Sequence, residues 1–378
     1  MLPMLKIEFS YVFLTSVIVC ALIILLQRFY MPLIARREDH SAVQAAHTLP
    51  TPRIGGLAVV IGLFPIAMFL PESVNSWFVL LCISALPLVA AGLAEDLGYN
   101  IEPKWRLLAA ALSSAVAIFL LEQSLPRTGV PGLDHLMLFF PIAAIFTVFA
   151  CTGVSNAFNL IDGLNGLSSG VAIVSLLGMA AVAFDAGLTG VTEMNLMLAA
   201  AIMGFFVFNY PLGKVFLGDA GAYVIGYLLA WTSVLLLIRA PELNTWAVLL
   251  ILFWPIADTF LAIYRRRRAG RATGLPDRLH YHQLVMRALE ITKIGRSRRH
   301  ISNPLATLLM IPMFSAPVLL GVYFWDKPLG AFISLVVISG LFVSSYIFGV
   351  KFVRCNRARQ ASAARVEREQ KSFLVAAR

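Results

Sequence analysis

Apolar and polar positions along this chain alternate on the scale of whole segments rather than single residues. Runs of about twenty apolar residues, nearly free of charge, recur from end to end, each closed by a short polar stretch. At this scale the pattern predicts eleven membrane-crossing helices, at approximately 9–27, 54–70, 77–94, 105–121, 136–153, 168–185, 195–210, 220–238, 245–264, 304–324 and 329–350. The first run is long and soon followed by another, so a retained helix is expected there rather than a cleaved signal. The expected fold class is an all-α polytopic membrane protein. Residues 1–353 form one integral-membrane unit on this reading, and 354–378 a basic tail.

Composition sharpens this picture. The 378 residues are 59% hydrophobic and 13% charged, with a mean hydropathy of +0.82. A soluble domain carries about a quarter charged residues. A net charge of +10 could suggest a nucleic-acid partner, but its distribution follows topology instead. With residue 1 outside, the outer segments hold only Lys6, Arg127, Arg239 and Lys327, four of 30 Lys and Arg; the other 26 lie on the inner side or in the tail. That asymmetry puts the N-terminus outside and the C-terminus inside, and one missed span would spoil it. The tail residues Arg354, Arg357, Arg359, Arg365, Arg368 and Lys371 suit anionic lipid, or serve only as a positive stop-transfer flank. Cys20, Cys82, Cys151 and Cys355 are scattered, with no CxxC or Cys/His spacing, so neither a disulfide frame nor zinc is expected.

The polar exceptions to the apolar pattern carry the chemistry. Between the fifth and sixth runs, Asn156, Asn159, Asp162 and Asn165 recur at intervals of three, with Gly163 and Gly166 in the same stretch. Carboxamides and a carboxylate at a membrane boundary are costly unless paired or used. A helix-capping turn and a ligand loop account for these residues about equally well. On the expected topology the other exceptions fall on the same inner face: Glu95-Asp96, Asn209, Gly218-Asp219-Ala220-Gly221, Asp258, and the loop from Arg265 to Gln283. Their convergence from distant segments is the main result read from the residues alone.

Each exception has a plain and a functional reading. Glu95 and Asp96 end a span as solvated acids, or bind a divalent ion and supply a base. Lys104 holds phosphate or, like Arg106, marks the inner boundary. Asp219 caps a helix, presents an oxygen to Mg²⁺, or does both. Asp258, inside an apolar run, is expected to pair with a group in the bundle. Arg265–Arg268 are topological charge or phosphate ligands; Arg278, His280 and His282 suit a diphosphate better than zinc. Gly55 and Gly56, downstream of His47, allow close helix packing or ligand approach.

In order along the chain stand Pro-Thr-Pro-Arg-x-Gly-Gly, an acid–Asp pair ending a span, Asn-Ala-Phe-Asn-x-x-Asp-Gly-x-x-Gly, Asn…Phe-x-Gly-Asp-x-Gly, Pro-x-x-Asp, and Asp-Arg-x-His-x-His. Together they resemble the polyprenyl-phosphate N-acetylhexosamine-1-phosphate transferases, over residues 47 to 290. The Arg-rich inner loop is more similar to the branch that starts O-antigen and related glycans than to the muramoyl-pentapeptide branch.

The resemblance implies a UDP-N-acetylhexosamine donor, an undecaprenyl phosphate acceptor, and products polyprenyl-diphospho-sugar and UMP. It also implies Mg²⁺, with Mn²⁺ as a substitute, and a cytoplasmic-face site in a bacterial inner membrane. Asp219 and Asp162 would hold the metal; Asp96, Glu95, Asp162 and His282 would be catalytic. Lys104, Asn156, Asn159, Asn165, Asn209, Arg278, His280 and Gln283 would hold substrate. Glu95 and Asn165 stand where the family often has Asp, and Gln283 where a further His is common. Membrane lipid is an expected partner, nucleic acid is not, and a homodimer stays open. The alternative, a secondary transporter, would place its polar groups near mid-membrane between repeats, which this pattern lacks.

Overall fold

The computed structural model describes residues 2–35, 51–270 and 279–376. Among them every regular element is helical: α1 (Leu2–Ala35), α2 (Gly56–Phe69), α3 (Glu72–Ser84), α4 (Leu86–Asp96), α5 (Pro103–Leu121), α6 (Leu133–Met137), α7 (Phe140–Ile161), α8 (Leu167–Asp185), α9 (Thr189–Asn209), α10 (Gly218–Arg239), α11 (Thr245–Ile251), α12 (Phe253–Arg268), α13 (Tyr281–Leu289), α14 (Arg299–Tyr323) and α15 (Pro328–Ala376). Eight of these helices are long and apolar enough to cross a membrane, and counting the bent pairs α3–α4 and α11–α12 as single spans makes ten. This is a multi-pass membrane protein. The expected span at 54–70 is α2, whose 14 residues make an apolar helix shorter than the eight spanning ones.

Two expected spans are bent, by 45° at Ala85 and 82° at Leu252. Both bends precede a proline in the first turn of the next helix, Pro87 and Pro255. Proline has no N–H to donate, so the hydrogen-bond ladder is interrupted there. The expected boundary at 153 also moves: α7 continues through Gly153 to Ile161 and turns off at Asp162-Gly163. Asn156 and Asn159 therefore sit on one face of its last turns rather than in a connection. The expected unit boundary at 353 falls within the unbroken α15.

α10 is the central helix, buried on every side from Ala220 to Leu237. Lipid tails are as apolar as leucine, so helices associate here through close packing and hydrogen bonds rather than hydrophobic exclusion. Hydroxyl contacts fasten the neighbours to it. Ser155 Oγ in α7 donates to the Tyr223 carbonyl at 2.6 Å, and Tyr227 Oη lies 2.7 Å from Ser84 Oγ of α3 while donating to the Ser113 carbonyl of α5 at 3.0 Å. At the other end of α10, Arg127 donates to the carbonyls of Ala240, Pro241 and Leu243. These carbonyls belong to the turn that follows α10.

Gly55 and Gly56 belong to the packing. Their N–H groups donate to the carbonyls of Phe216 and Leu217, at 2.9 and 2.7 Å, tying the start of α2 to the start of α10.

Candidate active site

The start of α10 is where the distant segments meet. Asp96, last residue of α4 and 7% exposed, accepts the N–H of Asp219 on Oδ1 at 2.7 Å and that of Ala220 on Oδ2 at 3.0 Å. First-turn N–H groups of a helix lack partners of their own, so Asp96 caps α10 from a different helix. This corrects the capping alternative for Asp219, which lies inside the first turn with its side chain turned elsewhere. Gly218, with φ +73°, makes the arrangement fit: a Cβ there would press on the Arg53 carbonyl and on both Asp96 carboxylate oxygens.

Asp219 Oδ1 accepts from Asn159 Nδ2 at 3.0 Å, and Oδ2 is ion-paired with Arg106. Arg106 Nη1 also lies 4.0 Å from Glu95 Oε1, while the other Glu95 oxygen accepts the N–H of Ile101. Arg106 thus holds Asp219 and Glu95 together, and its plain reading as a boundary charge falls short. Arg53 acts electrostatically on both Asp96 and Asp162. Half-buried at the end of α7, Asp162 has its carboxyl pushed up to about 7 by burial, against the pull of Arg53.

A second group packs on the loop that follows Asp162, at Gly163. Asp258, 1% exposed, accepts from His280 Nδ1 at 2.8 Å and from the Tyr281 N–H at 3.0 Å, fulfilling the pairing expected for it. With Nδ1 engaged by Asp258, Nε2 is the ring nitrogen left to meet a ligand. The His280 and His282 rings stack, with centroids 5.8 Å apart and planes at 19°. His282 is 2% exposed, and neither of its ring nitrogens has a hydrogen-bond partner among the described residues. Burial pulls it down to about 4, with Asp258 opposing, so the ring is neutral at pH 7. It packs on Gly163, where any Cβ would strike Nε2.

The remaining expected residues divide between scaffold and rim. Buried Asn165 donates its backbone N–H to Asn303 Oδ1 at 2.8 Å and Nδ2 to the Pro211 carbonyl at 3.0 Å, while its own carbonyl accepts from Thr307 Oγ1. Asn209 accepts the Gly166 N–H and donates to the Val215 carbonyl. Bonds from both carboxamides fasten the 162–166 loop. Asn156 Oδ1 accepts from Tyr223 Oη at 3.1 Å. Gln283 is half-buried, its Oε1 without a partner among the described residues. Lys104 is exposed, paired with Glu102 at 2.7 Å and lying over the Trp105 ring, outside the cluster. Arg278 and His47 lie outside the described residues.

The residues that sequence reasoning underweighted are Arg53 and Arg106. Arg53 lies within Pro-Thr-Pro-Arg-x-Gly-Gly, and Arg106 lies one turn into α5, the helix that follows the Glu95-Asp96 pair.

An all-helical membrane protein whose segments converge on carboxylates, guanidiniums and imidazoles at one bundle end defines a class that handles anionic, phosphate-bearing substrates. Residues 77–237 match the model of glycosyl transferase family 4, and the chain belongs to that family. It is 32% identical over 262 residues to the undecaprenyl-phosphate alpha-N-acetylglucosaminyl 1-phosphate transferase of Salmonella typhi, covering 66% of this chain and 69% of that one. It is 29% identical over 251 residues to the probable undecaprenyl-phosphate N-acetylglucosaminyl 1-phosphate transferase of Bacillus subtilis (strain 168), with coverage of 66% and 69%. To the decaprenyl-phosphate N-acetylglucosaminephosphotransferase of Mycobacterium tuberculosis (strain ATCC 25618 / H37Rv) it is 28% identical over 290 residues, covering 68% and 69%.

Proposed function

We propose that this protein transfers N-acetylhexosamine-1-phosphate from a UDP-sugar to a polyprenyl phosphate, releasing UMP. N-acetylglucosamine and undecaprenyl phosphate are the preferred pair, by the names of the relatives. Initiation of a cell-surface glycan such as O-antigen is the process this product would serve. The observation that carries the reading is the gathering of Asp96, Asp162 and Asp219 with Arg53 and Arg106, next to a loop on whose Gly163 the buried His282 packs. On this reading the bundle crosses a bacterial inner membrane eleven times, α2 included, with the site on the cytoplasmic face.

In the reaction, an oxygen of the lipid phosphate attacks the β-phosphorus of the UDP-sugar. The bond from that phosphorus to the bridging oxygen breaks, and the bridging oxygen leaves on UMP. A lipid phosphate is already anionic at pH 7, so such a transfer needs alignment and charge balance more than a strong base. Arg53 and Arg106 steady the diphosphate. His280 offers Nε2 toward the phosphate, its Nδ1 engaged by Asp258, and buried neutral His282 presents two ring nitrogens still to be satisfied. Asp96 aligns the mouth of α10, and Asn159 orients Asp219. Asn156 and Gln283 lie within reach as substrate contacts.

The residues fit a divalent cation. Four carboxyl groups (Glu95, Asp96, Asp162, Asp219) face two guanidiniums (Arg53, Arg106), an excess of two negative charges when all are ionised. No three of the described His, Cys, Asp or Glu residues form a closed metal cage, and Mg²⁺ typically takes one or two protein carboxylates and fills its shell with phosphate oxygens and water. Asp219 and Asp162 would hold it, with Mn²⁺ an acceptable replacement; when bound it would neutralise charge on the diphosphate. The test is purified protein with undecaprenyl phosphate, Mg²⁺ and a panel of UDP-N-acetylhexosamines. UMP and lipid product should form in equal amounts; no UMP from any donor would overturn the reading.

A further inference from the structure

Apart from the acidic cluster, a second pocket opens between α12, α13 and α15, and four guanidinium groups line it: Arg265, Arg287, Arg354 and Arg357. Among the described residues no carboxylate lines it, and its floor is aliphatic. We propose that this pocket binds the phosphate headgroup of an anionic membrane phospholipid, and that the bound lipid braces the segment carrying His280 and His282.

Position, size and chemistry agree on the ligand. Arg354 and Arg357 are exposed and three residues apart on α15, so both point to one side, where the apolar stretch of that helix gives way to basic residues. That is headgroup depth for a helix crossing a bilayer. Guanidinium groups match phosphate oxygens in pairs, and an aliphatic floor receives the first carbons of a lipid. A cavity volume of about 190 Å³ has room for a phosphate and its ester links. None of Glu95, Asp96, Asp162 and Asp219 lines the pocket, so a phosphate seated here does not meet the proposed reacting groups. A resident diacyl lipid, rather than the polyprenyl acceptor, is the occupant this separation favours.

A short chain of contacts joins the pocket to the histidines. Arg265 Nη1 donates to Tyr346 Oη at 2.8 Å, and Tyr346 Oη donates to the Leu279 carbonyl at 3.0 Å, one residue before His280. Tyr281 Oη lies 2.9 Å from Ser345 Oγ, a second tie between the same segment and α15. A lipid phosphate on Arg265, Arg354 and Arg357 would pull α12 and α15 together around these ties. The binding stands apart from the transfer reaction; only the benefit of the bracing rests on that reading.

The experiment uses the full chain in nanodiscs of neutral phosphatidylcholine, with phosphatidylglycerol added and retained lipid counted by native mass spectrometry. Amide exchange is followed over residues 279–284. Wild type should retain one phosphatidylglycerol and exchange more slowly when it is present. Arg354→Gln with Arg357→Gln should weaken retention about 25-fold, at roughly fivefold per charge removed near an anionic surface, and abolish the slowing. Arg267→Gln with Arg268→Gln, exposed on α12 and outside the pocket, should leave both unchanged. Equal losses in the two double variants would reduce the effect to general surface charge and overturn the site. Displacement of the lipid by inorganic phosphate, or one-for-one by undecaprenyl phosphate, would overturn the assignment to a resident phospholipid. None of these readouts needs turnover, so failure here is distinct from failure of the transferase reading.

Discussion

The Asp96 carboxylate accepts the backbone N–H of Asp219 at 2.7 Å, which makes the last residue of one helix the cap of another 123 positions away. The acid best placed to align the site is therefore also a structural member of it. Asp96→Asn keeps one carbonyl oxygen as acceptor for one of the two N–H groups but turns its amide NH2 toward the other. It should cost about 1–3 kcal/mol of stability and lower turnover more than tenfold, on the order of an alignment loss. Thermal unfolding in detergent and UMP release measured on the same preparation separate the two effects; a near wild-type rate would remove Asp96 from the mechanism.

Arg106 and Asp219 form a pair in which each side chain is mostly buried, at 15% and 22% exposure. Arg106→Met leaves the Asp219 carboxylate short of its counter-charge and should destabilise the protein by about 3 kcal/mol. Adding Asp219→Asn should restore much of that loss but no activity. A double-mutant cycle on melting temperature together with UMP release checks this, and additive destabilisation would show that the pair is not coupled.

Asp219→Ala should abolish divalent-metal-dependent UMP release while leaving the bundle folded, since the cap on α10 comes from Asp96. Circular dichroism and a Mg²⁺ titration of turnover are the measurements. Full activity would reject Asp219 as a metal ligand.

Gly163 and His282 touch so closely that Gly163→Ala must move the ring. Gly163 itself is exposed, so stability should change by less than about 1 kcal/mol, whereas kcat/KM should fall at least about tenfold through displacement of His282. Unchanged kinetics would take the His282 ring out of the reacting geometry.

The pH dependence follows from His282, held near 4 when folded and near its ordinary value of about 6.5 when unfolded. Between these values the unfolded chain binds the extra proton. Stability should thus be unaffected by this group above pH ~6.5 and fall progressively toward pH ~4, by up to about 3 kcal/mol. Comparing melting temperatures of wild type and His282→Gln from pH 7 to pH 4 isolates it: the gap should narrow as pH falls, and a constant gap would contradict it.

Much of this protein was legible before any coordinates. Span-length apolar runs report how each segment partitions between water and lipid, a property of the segment alone, so helices appeared close to where they were expected. The motif residues were legible for a related reason: a carboxylate or carboxamide at a membrane boundary costs energy unless something engages it, which made Asp96, Asn159, Asp162, Asp219 and Asp258 conspicuous.

Which partner each would find was a different matter. That Asp96 caps a distant helix, that Arg106 turns to Asp219 while nearby Lys104 turns to Glu102, and that Asn165 and Asn209 fasten a loop depend on how close two backbones come. Those distances are set by small residues meeting across helices and by the bends before Pro87 and Pro255. Partition energy belongs to single segments, whereas hydrogen bonds and ion pairs belong to pairs of segments. The sequence alone therefore determined what enters the membrane and which residues are out of place there, and only the packed bundle decided what each of them holds.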